Sequence, residues 1–236
     1  EGMKISVKSM NSSSAERELH RMDTDMSTKS VLGVFILILI GLVFTFWDFV
    51  SVVPISAGLM WTLVVVGIVV ALLIGFFVAA ACGYMAGLIG TSASPISGIG
   101  ILATIISSLV VYFIAAENNL FATQEGVQFA TAMAIFMTSV VIAIASISND
   151  NLQDLKTGQL VGATPWRQQI ALLLGSVAGA IAIAPVLNLL YQAYGFTGAL
   201  PRAEMDPNAA LSAPQATLMT TIAQGIFNSS MDWDYI

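Results

Sequence analysis

The chain has 236 residues, of which 57% are hydrophobic and only 9% charged, against about 25% charged in a soluble domain. Fourteen acidic and eight basic side chains leave a net charge of −6, and there is one Cys and one His. This composition excludes a soluble globular domain, a nucleic-acid binder and a disulfide scaffold, and it predicts an all-α fold: a polytopic transmembrane helix bundle.

Residues 1–30 form a polar lead-in that holds ten of the charged side chains, Glu1 to Lys29. It lacks the apolar core of a secretory signal. His20 has no second ligand at metal-binding spacing, so no metal site is expected from this chain. The first span is read at about 31–47 and ends in Trp47-Asp48, an interfacial aromatic followed by a carboxylate. The second is read at about 57–82, with Cys82 as a small apolar packing residue.

No charge occurs from Phe49 to Ala116, a run of 68 residues. If the second helix continued to Gly90 it would be roughly 50 Å long at 1.5 Å per residue, too long for a hydrocarbon core of about 30 Å. A break is therefore expected in Gly83–Gly98, where Gly87, Gly90, Ser92, Ser94, Pro95, Ser97 and Gly98 supply the breakers. Two readings stay open. Uncharged irregular backbone at membrane depth marks a substrate or ion site in transporters; it also suits a tight interhelical turn. Ser94-Pro95 reads as an N-cap with proline at the first helical position.

The third and fourth spans are read at about 99–116 and 127–147, and segment 148–168 as a short cytoplasmic loop between the fourth and fifth spans. Leu152, Leu155 and Leu160 alternate there with polar residues, suggesting a helical turn folded back on the bundle; a solvated loop is the other reading. Thr164-Pro165 is a second cap-plus-proline start, for a fifth span at about 170–191. Gly83-x-x-x-Gly87 and Gly175-x-x-x-Gly179 are read as helix-packing pairs, and Pro185 as a kink. Asp48, Glu117, Glu125 and Asp150 are expected as solvated charges at span ends. Residues 192–236 are read as an extracytoplasmic loop and the start of a further helix near Ala216–Phe227. With five spans, the lead-in (Lys4, Lys8, Arg17, Arg21, Lys29) and segment 148–168 (Lys156, Arg167) share one side, against Arg202 on the other. That side is expected to be cytoplasmic. A chain opening at Glu1 reads as an internal piece of something larger.

Two segments together resemble the oligopeptide transporter (OPT) family, in its prokaryotic and yellow-stripe-like branch. One is the glycine-rich run Ala86–Ile101 with its Pro95-Ile96-Ser97-Gly98 ending. The other is Gln153-Asp154-Leu155-Lys156-Thr157-Gly158 followed by Gly162-Ala163-Thr164-Pro165 and Gln168-Gln169. Arg21–Met26, just before the first span, resembles the family's Arg-rich, Asp-containing lead-in. One departure is Ala93-Ser94, where an Asn-containing pair is expected before the proline.

The resemblance implies secondary active transport, proton-coupled, of small peptides or metal–chelator complexes, with protons and the lipid bilayer as partners, no cofactor, and a bacterial inner (plasma) membrane location. By the same resemblance, Gly90, Thr91, Ser92, Ser94, Pro95, Ser97 and Gly98 would line the substrate path. Asp154, Lys156, Thr157, Gly158, Thr164 and Gln169 would form a cytoplasmic gating or structural motif. A channel or pore-forming subunit is the alternative, because a glycine-rich break serves a pore equally well. An enzyme is not expected: the spans contain no acid pair and no His-based constellation.

Overall fold

A computed structural model describes residues 21–197 and 209–228. The expectations placed on the first twenty residues, on Arg202 and on 229–236 lie outside the described residues. Six α-helices follow in order: α1 Thr28–Ser51, α2 Ala57–Ile89, α3 Ile96–Glu117, α4 Gln124–Val161, α5 Pro165–Ala193 and α6 Pro214–Phe227. The first five are long and apolar enough to cross a membrane. Among the described residues there is no strand, only an isolated bridge between Phe196 and Leu211.

The helix starts follow ordinary capping chemistry. Ser27, Ser56 and Thr123 each accept a hydrogen bond from the backbone N–H three residues on, at 3.2, 3.3 and 3.1 Å. Thr164 opens α5 with Pro165 in its first turn, as read from the sequence.

Three expectations are corrected. First, α2 runs through Gly83 and Gly87 to Ile89, so the break is confined to residues 90–95. Second, segment 148–168 is not a separate turn or loop: α4 continues without interruption to Val161. No glycine or proline lies between Val127 and Thr157, and the polar residues there dock rather than dissolve. Ser148 Oγ donates to the Ala79 carbonyl at 2.7 Å, and Leu152 packs over Gly83. Third, α3 begins at Ile96 with Pro95 as its N-cap residue and no side-chain cap, so Ser94 does not cap it.

The core forms where α2, α3 and α4 pack together, and α6 adds to it beside α3 and α4. Without a hydrophobic drive between helices in lipid, close approach depends on small residues. The glycines of α2 act as sockets: a Cβ on Gly67 would meet the Phe46 ring, on Gly75 Ile144, and on Gly83 Ser148 and Leu152. Gly83 is thus a packing residue as expected, whereas nothing lies within 4 Å of a Cβ at Gly87, Gly175 or Gly179. The end of α1 is pinned by Phe49 stacked on Phe136 at 4.5 Å and by Phe46 edge-on to the same ring at 4.9 Å. In contrast, α5 contributes no buried residue.

At Gly126 a Cβ would strike the Leu120 carbonyl, which is backbone and cannot swing aside. Gly126→Ala is therefore expected to lower the thermal midpoint of the detergent-solubilised full-length protein, by an overpacking cost of about 1–3 kcal/mol. Gly33→Ala, with open space around it, should leave the midpoint unchanged or raise it.

Candidate functional site

The α2–α3 break is built from five kinds of residue. Gly90 ends α2 with φ 97° and ψ 166°, a backbone state that side-chain-bearing residues rarely adopt. Its N–H still reaches the Ala86 carbonyl at 3.0 Å. Thr91–Ala93 then make one 3₁₀ turn, closed by Ser94 N–H on the Thr91 carbonyl at 3.1 Å. Ser94 is extended, and Pro95 leads into α3. Ser97 and Gly98 occupy the exposed first turn of α3.

Two side chains tie this segment to other helices. Ser94 Oγ donates to Asn149 Oδ1 of α4 at 2.6 Å, and Asn149 is only 2% exposed. The same hydroxyl lies 3.5 Å from the Cys82 carbonyl. On the far side, Gln215 of α6 donates through Nε2 to Ser97 Oγ. Of the seven residues singled out from the sequence, Ser94 and Ser97 make inter-element bonds, Gly90 and Pro95 set the backbone, and Thr91 closes the 3₁₀ turn. Ser92 and Gly98 are exposed, and a Cβ at Gly98 would meet nothing. The amide absent from Ala93-Ser94 arrives from α4 instead, as Asn149.

The second motif forms the α4–α5 elbow. Gly162 ends α4 in the left-handed region at φ 74°, and Ala163 N–H returns to the Gly158 carbonyl at 2.8 Å. Gly158 is buried because the Gln168 carboxamide occupies the place of its missing side chain. Asp154, Thr157 and Gly158 face Gln168, Gly175 and Ser176 across an open groove of about 620 Å³. Lys156 lies apart, its Nζ 3.3 Å from Gln159 Oε1. Thr164 caps by its backbone alone, with its carbonyl accepting from Arg167 N–H at 3.2 Å. Gln169 and Gln168 each hold a buried Oε1 with no partner among the described residues. The lead-in docks on this elbow: Arg21 donates to the Gly162 carbonyl at 2.9 Å, and Trp166 N–H to the Thr24 carbonyl at 3.4 Å.

The two motifs do not merge into one pocket. They share α4, on which Asp154 follows Asn149 by five residues, roughly 8 Å. Sequence reasoning missed Asn149 and Gln215, and named Gln168 in the motif without giving it a role. Asn149 sat inside a polar run read as a loop, and Gln215 is 118 positions from its partner. Among the described residues no three His, Cys, Asp or Glu side chains are grouped to hold a metal ion.

The model of the OPT oligopeptide transporter protein family matches residues 1–236. The chain belongs to the OPT family. It is 56% identical over 221 residues to a Haemophilus influenzae protein named "Putative oligopeptide transporter", and that match covers 94% of this chain. The chain spans 35% of the length of this curated OPT relative. No solved structure matches it. OPT proteins are transporters rather than enzymes.

The Gly158–Gln168 contact gives a direct check on the OPT elbow. Gly158→Leu should lower the thermal midpoint, and Gln168→Ala should restore part of the loss. A double-mutant cycle is expected to return a coupling of about 0.5–3 kcal/mol.

Proposed function

We propose that the full-length protein is a secondary active transporter. It moves small peptides across a bacterial inner membrane by alternating access, coupled to protons. Family membership and the named relative support peptide transport. The observation that carries the reading is the uncharged break between α2 and α3, held to α4 by Ser94 and Asn149. Irregular backbone at membrane depth is tolerated where it is buried in protein or lines a cavity, and transporters place their substrate sites there. Gly90–Gly98 is the proposed lining of the path, and the α4–α5 elbow its cytoplasmic gate. The docking of Arg21 and Thr24 on the elbow supports a lead-in on the same side as the α4–α5 turn. The Lys and Arg bias makes that side cytoplasmic.

Full-length protein in proteoliposomes should take up di- to tetrapeptides saturably, and uptake should collapse when a protonophore dissipates the gradient. Metal–nicotianamine is the competing substrate class, and its uptake in preference to peptides would replace the peptide assignment. Flux that neither saturates nor depends on the gradient would establish the channel alternative.

Gly90→Val forces a β-branched residue to a positive φ and should reduce uptake about tenfold or more with membrane insertion intact. Asp154→Asn should reduce uptake more than Glu117→Gln. Equal rates for those two variants would remove the elbow from the mechanism.

A further inference from the structure

α6 is divided by chemistry. One side, Met219, Ala223, Ile226 and Phe227, faces the bundle: Met219 fills the space over Gly100, and the Phe227 ring lies 5.6 Å from Phe121. Together with the Gln215–Ser97 bond, these contacts lay α6 along α3 from its first turn to the connection beyond its far end. α3 is apolar enough to span, so α6 lies within membrane depth.

Its other side is polar and uncharged. Thr217, Thr220, Thr221 and Gln224 fall on one helical stripe and, with Phe196 and Thr197, line an open groove of about 520 Å³. On such a stripe an unpaired glutamine facing lipid would be costly. The three threonine hydroxyls donate to their own helix, Thr217 to Ala213 at 3.0 Å, Thr220 to Ala216 at 2.8 Å and Thr221 to Thr217 at 2.9 Å. Their protons are thus committed while their lone pairs remain acceptors. Gln224 is exposed, makes no side-chain bond among the described residues, and offers a carboxamide that both donates and accepts. Phe196, stacked on Tyr191 at 6.3 Å, forms an apolar wall. The groove volume falls within the range of small-molecule sites.

We propose that this groove binds the main chain of the transported peptide, with Gln224 pairing with a peptide bond and the threonine oxygens accepting peptide N–H groups. The proposal rests on the peptide-transport reading and adds to it a second wall, separate from the Gly90–Gly98 break. An uncharged groove reads backbone rather than side-chain charge, so it suits peptides of varied sequence.

The test uses the full-length protein with its native cysteines removed, Cys82→Ser included, carrying Thr221→Cys, Gln224→Cys or, as a control on a different helix face, Leu218→Cys. Each is reconstituted and treated with a membrane-impermeant thiosulfonate reagent, with and without trialanine. Modification of Thr221→Cys and Gln224→Cys is expected, slowed about tenfold at a trialanine concentration roughly ten times its Kd, with Leu218→Cys unaffected by peptide. No modification at either position would mean that the groove is filled by another helix or by lipid, and would overturn the proposal. Modification indifferent to trialanine, in protein that still transports it, would overturn the groove and leave the transport reading standing. Absence of trialanine uptake by the full-length protein with its cysteines intact overturns both.

Discussion

In hydrocarbon, a backbone that leaves the helix has no water to turn to, so each freed polar group must find a partner inside the protein. Around residues 90–95 the freed groups find such partners. The short 3₁₀ turn keeps much of its own bonding, and the extended Ser94 passes its hydroxyl to a buried asparagine on α4. Asn149 can stay buried because it is paired. Its neighbour Ser148 bonds a carbonyl of α2, so two successive α4 residues hold the end of one helix and the start of the next. The polar run after Ile147 is therefore helical because it has partners.

The same logic extends to how the helices approach. Large side chains such as Phe46, Ile144, Leu152 and Met219 each project over a glycine of a neighbouring helix. Contact of this kind depends on shape, because lipid competes with apolar side chains on nearly equal terms. It fixes registers locally: Gly75 and Gly83 set α2 against α4 before the break begins, and Gly100 sets α3 against α6 after it. The break is thus bracketed by tight contacts on both sides while its own outer surface, Ser92 and Gly98, stays open.

Much of this was legible in the sequence. Five charge-poor runs gave five long helices, and the Gly, Ser and Pro residues of 83–98 marked the discontinuity. The length argument failed, because α2 does run to Ile89, longer than a hydrocarbon core requires. Span ends were less legible, since a run such as Ser148–Gln153 looks like a loop until its partners are known. Ser94 looked like a cap for the same reason: short-range rules could not weigh a partner 55 residues away. Gly158 was marked by its motif, but its role became visible only once Gln168 was seen in its place. The family resemblance carried the functional reading; the physics of composition alone stopped at a membrane bundle with a broken segment.

Between the elbow and α6 lies α5, 29 residues with no buried side chain. One end is seated at Gly158 and Gln168; the other passes through Gly195–Thr197 to Leu211 and Thr217. At about 44 Å long at 1.5 Å per residue, it leaves a long apolar flank uncovered between these two attachments. Within that flank Pro185 has no N–H to give, so the Ile181 carbonyl loses its helical donor and stands as a polar point on an otherwise apolar surface.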